Sequence, residues 1–575
     1  MRMAIAPMLA AASLAAAASL AAAPPASVPA AGPVPVHMDS DAQGAPGRNE
    51  AVSRALASIR PEALRAHMRF LADDRLEGRA TGTRGYELAA AYMATEFEAA
   101  GLEPAGASGT WYQEVPFRRL ESDRDGGGLA LVRGGREQPL TRDTDYILGN
   151  DPVREQANVT APLAFAGFGI TAPDLGYDDY AHVDVKGKIA VLLSGGPPRF
   201  PSEKRAYWSS TLMKTRTAVA RGAVGILTVR TPVDEARGPW FRVVNQSKLP
   251  GMRWLEANGV PNESHPQLQV TATLSRSGAS ALFADAAAPL ERVFATADSS
   301  HAQGFDLPAQ AHAWTHTRHS RAESPNVVGV LHGSDPKLRD EYVVLTAHLD
   351  HLGIGVPVHG DSIHNGFYDN ATGSGALIEL ARAFVSLPER PKRSLLFVAV
   401  TGEEKGLQGS DHFARFPTVP AERMVADINM DMFVMIQPMD EVIIFGGEHS
   451  SLGPIAERSA RAAGLNPVPD PSPEEVVFVR SDQFSFVRQG VPAVYPVLAG
   501  AEHVAPGDSL SPIQRWRRTI YHSPQDDMSQ PMDLASGARF LRMQFLLALE
   551  VANAATRPSW NRGDFFGDTF AKARP

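Results

Sequence analysis

Acidic and imidazole side chains fall at or just beyond the ends of apolar runs in the second half of this chain. His348 and Asp350 follow the run 343–347, Asp369 precedes a helical stretch, and Glu403 and Glu404 follow the run 395–400. Asp431 sits in Ile428-Asn429-Met430-Asp431-Met432, and His522 in Tyr521-His522-Ser523-Pro524. If those runs are neighbouring strands, their ends meet. Burying several carboxylates together without a cation is very costly, through desolvation and mutual repulsion. A divalent metal removes that cost. The chain has no cysteine, so any ligands are imidazole and carboxylate, a set that suits Zn²⁺ with Mn²⁺ or Co²⁺ as possible substitutes.

Each member alone has a plain reading as well. On an extended chain His348 and Asp350 face one side. His348 can then bind metal while Asp350 accepts its other ring N–H, or the two are a surface histidine and a helix-capping acid. Asp369-Asn370 before Ala371-Thr372-Gly373 also reads as a helix cap, and Glu403-Glu404 as a solvated acidic turn. The adjacent glutamates point differently, so one can ligate while the other serves as base. Asp431, an acid inside an apolar run, is the hardest to dismiss. The constellation carries the argument.

The positioning elements follow from periodicity. Mainly apolar runs at 327–331, 343–345, 395–400, 424–428 and 442–445 predict strands covered on both faces. Leu377, Leu380, Ala381 and Phe384 form one stripe of a helix expected over 372–387, capped by Asn370 or Thr372. The predicted fold is α/β: a mostly parallel, mixed central sheet flanked by helices, binding ligands beyond the strands' C-terminal ends. Upstream, Tyr86, Ala90, Met93, Phe97 and Ala100 line one helical face, and Gly101 is a helix stop. Between 146 and 305 the texture changes to strand-like runs such as 188–193 separated by Gly, Pro and Asp, which predicts a β-rich inserted domain.

The 575 residues suffice for two or three domains, with 44% hydrophobic and 21% charged residues. The net charge of −9 comes with no basic block, which argues against nucleic acid as a partner. Arg2 followed by an Ala- and Leu-rich stretch to Ala23 reads as a secretory signal, so the protein is expected to be exported, periplasmic or secreted, without stable membrane insertion after cleavage. The expected layout is a signal and small-residue tail over 1–32, a linker over 33–52, and the first part of the catalytic domain over 53–145. The insert follows over 146–305, then the main catalytic part over 306–560 and a tail over 561–575.

In their order along the chain, His348-Leu349-Asp350, Asp369-Asn370-Ala371-Thr372-Gly373, Glu403-Glu404, Asn429-Met430-Asp431-Met432 and Tyr521-His522-Ser523-Pro524 resemble the co-catalytic zinc aminopeptidases of the M28 peptidase family. Leu76-Glu77-Gly78-Arg79 and Thr81-Gly82-Thr83-Arg84-Gly85 resemble that family's N-terminal region. Gly176-Tyr177-Asp178-Asp179-Tyr180, Val185-Lys186-Gly187-Lys188 and Arg221-Gly222-Ala223-Val224-Gly225 resemble a protease-associated (PA) domain. The resemblance implies two Zn²⁺ per chain. Asp369 would bridge them, His348 and Asp431 would complete one ligand set, and Glu404 and His522 the other. Glu403 would be the general base and Asp350 would support His348. It also implies an exopeptidase that removes N-terminal residues from peptides with free N-termini by means of a metal-bridged hydroxide.

Phe367-Tyr368 and Ser481-Asp482-Gln483 depart from the family's usual residues, outside the implied ligands. Tyr495 is a candidate substrate contact or a core aromatic. His351, His359, His364 and His503 are read as rim or surface residues without metal. Carboxypeptidase and glutaminyl-cyclase chemistry on the same fold are the alternatives, with Arg480 and Arg488 in a plausible loop for a carboxylate clamp. A receptor-like protein without catalysis is a further one. No G-x-S-x-G elbow, H-E-x-x-H helix or Walker A loop is present.

Overall fold

A computed structural model describes residues 46–297, 304–505 and 507–571; the expected signal segment lies outside them. The five predicted strands all form. Ser394–Val400 is buried along its whole length, and Tyr342–His348 along all but its first residue. These two pair in parallel, Tyr342–His348 pairs in parallel with Met424–Asn429, and that strand with Ala493–Ala499. The outer neighbours run antiparallel: the end of Phe305–Leu331 against Ser394–Val400, and Glu441–Phe445 against Ala493–Ala499. The central sheet is therefore mixed, with a parallel middle whose strands end on one side.

Helices cover it. Ala371–Val385 is buried along almost its full length; Asn370 caps it, its side-chain oxygen accepting the Gly373 N–H at 2.8 Å. Phe384 on this helix stacks on Phe545 of helix Leu534–Asn553, with centroids 4.3 Å apart. Burying each such ring stabilises the layer by about 1.5–3 kcal/mol. Helix Arg84–Ala100 buries Tyr86, Ala90, Met93, Phe97 and Ala100 and ends at Gly101, whose φ of 94° only glycine adopts readily. Among the described residues no helix is long and apolar enough to cross a membrane.

A second sheet has its own core, built from residues such as Leu131, Leu163, Val191, Leu227 and Leu274. Its middle strands, Gln156–Phe165, Ile189–Leu193, Gly225–Val229 and Val270–Leu274, pair in parallel. Gly128–Arg133 and Arg136–Pro139 also belong to it, so its chain begins ahead of residue 146. One 27-residue strand, Phe305–Leu331, serves both sheets. Its first part pairs with Gln156–Phe165, its middle with Tyr112–Ser122, and its end with the central sheet.

Two segments expected to be structureless are not. Helix Pro46–Ser58 starts inside the stretch read as linker and buries Val52, Ala55 and Leu56. Helix Phe565–Phe570 lies in the stretch read as tail, where buried Phe566 packs against Phe478 and Phe484.

Candidate metal centre and active site

The expected ligands come together at the C-terminal ends of the parallel strands. His348 Nε2 lies 3.2 Å from Asp369 Oδ1 and 3.1 Å from Asp431 Oδ1. His522 Nε2 lies 3.1 Å from Asp369 Oδ2 and 3.2 Å from Glu404 Oε2. The two oxygens of Asp369 thus face two separate imidazole–carboxylate pairs. The Asp369 and Glu404 side chains are only 3% exposed.

Backbone features aim these groups. The strand Tyr342–His348 ends on His348, whose carbonyl accepts the Ser374 hydroxyl at 2.9 Å. The Asp369-Asn370 peptide is cis. Gly366 has φ 60°, and a Cβ there would meet the Asp369 carbonyl at 2.1 Å and the His351 ring at 2.5 Å, so only glycine fits this approach. After Ser394–Val400 the chain turns through Gly402, at φ 69°, into the 3₁₀ turn Glu403–Lys405, which separates the two glutamates. His522 itself has φ 56°, a strained value for a non-glycine residue.

The electrostatics are those of a cation site. Burial disfavours charge on His348, yet the Asp431 and Asp369 carboxylates outweigh it and push the ring's pKa well up. Burial likewise opposes charge on His522, and Glu404 and Asp369 still raise it to about 9. Burial and the charge of Glu404 act to raise Asp369, but hydrogen bonds from His348 and His522 hold it at about 2. Protons on the imidazoles thus balance the acids, and bound cations would displace them. The ligand atoms of His348, Asp369 and Asp431 lie within 4.8 Å of one another, and so do those of His351, Asp369 and Glu404. Buried, oxygen-rich and without thiolate, the donor set fits divalent metal.

His351 corrects the rim assignment. It is fully buried, with Nδ1 2.7 Å from Glu404 Oε1 and 3.9 Å from Asp369 Oδ2. His364 is buried too and lines the neighbouring cavity. His359 is on that cavity's rim, and His503 is exposed.

Asp350 departs from its expected geometry. The acceptor for His348 Nδ1, at 3.1 Å, is the Asp350 backbone carbonyl. The strand stops at His348, so the alternation that would bring the carboxylate beneath the ring does not reach Asp350. Its carboxylate instead accepts the Thr81 hydroxyl at 3.0 Å and the Glu403 N–H at 3.1 Å. Glu403 keeps part of its surface open, and burial pushes its carboxyl well above the usual range, with Glu404 and Asp431 adding to that against the opposing charge of His348.

Several further residues support the site, of which Asp526 carries no sequence signal. Asp526 accepts the N–H groups of Tyr368 and Asp369 at 3.0 and 3.1 Å. Ser481, in a stretch read as lying outside the implied ligands, nevertheless touches one: it donates its hydroxyl to Asp431 Oδ2 at 2.6 Å. Tyr495 is a buried aromatic whose hydroxyl donates to the Asp431 carbonyl at 2.9 Å. The buried Arg79 guanidinium donates to the carbonyls of Leu349, Leu71, Asn365 and Gly366, tying down the loops on either side of His351 and Asp369.

A cavity of about 410 Å³ opens beside His522, walled by Phe241, Leu249, Leu352, Val356 and Val358 among others. Arg488, one candidate for a carboxylate clamp, is already paired with Asp411 and Glu263 at 3.3 and 3.6 Å.

Residues 326–547, which contain every ligand candidate, match the family model described as Peptidase family M28. Over this stretch, less than half of the chain, the protein is similar to peptidase family M28. A stretch of 136 residues is 32% identical to the mouse protein named Aminopeptidase NAALADL1, covering 23% of this chain and 16% of that one. A stretch of 107 residues is 34% identical to a Probable zinc metalloprotease of Pyrenophora teres f. teres (strain 0-1), covering 18% of this chain and 22% of that one. The chain thus spans less than a quarter of the length of these curated relatives. In fold, the protein is similar to the aminopeptidase from Aneurinibacillus sp. strain AM-1, with a TM-score of 0.53 and 18% identity over 88% of this chain and 97% of that one.

Proposed function

We propose that this protein is an exported metallo-aminopeptidase of the M28 type that holds two Zn²⁺ ions and removes N-terminal residues from peptides. One observation carries the reading: the two oxygens of Asp369 address two separate ligand pairs, His348 with Asp431 and His522 with Glu404. That is the arrangement expected of a carboxylate shared by two ions. The relatives named as aminopeptidase and zinc metalloprotease support it.

His348, Asp369, Asp431, Glu404 and His522 would hold the metals, with His351 beside Glu404. Bound ions of this kind lower the pKa of a water and polarise a scissile carbonyl. The protein's own groups then do the proton work. Glu403, anchored through its N–H by Asp350, takes a proton from the attacking water and hands it to the leaving amine. The apolar cavity beside His522 supplies a wall for a substrate side chain. The second sheet, read as a PA-like domain, contributes Phe241 to that wall and restricts the cleft to short peptides and loose N-termini. Export is supported by the Ala-rich stretch to Ala23.

Metal content per chain, measured with hydrolysis of an aminoacyl-nitroanilide panel before and after chelation, tests this. Two zincs, with activity lost to chelator and restored by Zn²⁺, is the expected result. One zinc without nitroanilide hydrolysis would point to cyclase chemistry, and no metal would point to a binding protein.

A further inference from the structure

His522 is held from two directions. Its Nε2 faces Asp369 and Glu404, and its Nδ1 lies 2.7 Å from the amide of Gln246. Gln246 ends the helix Trp240–Gln246, on the connection between Gly225–Val229 of the second sheet and Gly251–Trp254, which pairs with Tyr112–Ser122. One turn earlier on that helix, Arg242 donates to the carbonyls of Arg517 and Arg518 at 2.9 and 2.6 Å. These carbonyls belong to the last turn of helix Pro512–Thr519, where no helical N–H is available to them. Residues four apart share a helix face, so one face grips both the helix leading into His522 and the His522 ring. On its other side the helix is tied back by Trp240, whose Nε1 donates to the Asp143 carbonyl at 2.7 Å.

We infer that Gln246 and Arg242 are positioning residues for the metal ligand His522, so that the segment joining the two sheets completes one half of the metal centre. The inference rests on the two-metal reading above. A histidine that binds metal through Nε2 carries its proton on Nδ1 and needs a fixed acceptor there. The Gln246 amide oxygen is brought to that position by a half-turn of the amide. The need is acute here, because His522 has φ 56° and its neighbours must hold it in that conformation. Tyr521 stacks on the ring at 3.7 Å, which fixes its plane but not the direction of its nitrogens.

The test uses the full-length protein, stripped of metal and titrated with Zn²⁺ against a competing chelator. Wild type, Gln246→Leu and Gln246→Glu are compared. For Gln246→Leu the expected result is a loss of about tenfold or more in affinity for one zinc equivalent, with the other unchanged. Gln246→Glu, which keeps an acceptor, should restore it, and the metal-free unfolding temperature should be the same in all three. Equal affinities in wild type and Gln246→Leu, a uniform weakening of both equivalents, or no rescue by glutamate would overturn this inference alone. A wild type that takes up no zinc would overturn the two-metal reading together with it.

Discussion

Asp350 and Glu403 are joined through the backbone: the Asp350 carboxylate accepts the Glu403 N–H at 3.1 Å, while its other oxygen takes the Thr81 hydroxyl at 3.0 Å. The acid therefore fixes the turn that presents Glu403, and its contact with His348 runs through the main chain. Asp350→Asn puts an amide N–H against one of two donors and should shift that turn. The expected outcome is a fall in kcat of about tenfold to a hundredfold with metal content retained, read from steady-state kinetics and metal analysis on one preparation.

Glu403→Gln removes the proton acceptor and leaves every ligand in place. Turnover should fall by about 10²–10⁴ while both metals stay bound. Near wild-type rates would remove Glu403 from the role of base.

Asp369 and Asp431 differ in what they serve. Asp369→Ala takes a ligand from both halves and should cost both metals. Asp431→Ala touches only the His348 half and should cost one. Metal stoichiometry after dialysis separates the two, and an equal loss in both variants would argue against a shared carboxylate.

His351 and His522 both address Glu404, at 2.7 and 3.2 Å. His522→Ala should abolish binding of one zinc equivalent. His351→Ala should weaken that same equivalent by about tenfold, by freeing Glu404. Weakening of the His348-side equivalent instead would show that His351 acts elsewhere.

Arg79→Leu strands four buried carbonyls. Each unsatisfied group costs about 1–3 kcal/mol, so a destabilisation of about 3 kcal/mol or more is expected in thermal or denaturant unfolding. A variant with unchanged stability would mean that water replaces the guanidinium.

The strands, and the meeting of the five expected side chains beyond their ends, were legible because both rest on local pattern. Apolar runs give the strands, and a parallel sheet brings their ends together whatever the loops do. Asn370 was legible as a cap for the same reason. His351 was misread although it lies three residues from His348: nothing local distinguishes a histidine that turns inward toward Glu404 from one on the rim. Asp526, Ser481 and Gln246 act on residues 50 to 276 positions away, and Arg79, besides Leu71, on residues 270 to 287 positions away, distances at which only tertiary packing selects the partner. The Asp350 carboxylate was misplaced because strand alternation was carried two residues past the end of the strand.

The strand Phe305–Leu331 runs without a break from one sheet into the other, and eleven of its residues are in register with Tyr112–Ser122 on the way. It works as a continuous beam shared by two storeys. A swinging door needs a slack joint, and this joint is a continuous, paired strand. Excising the second sheet to enlarge the cleft would also cut through a support of the sheet that carries the chemistry.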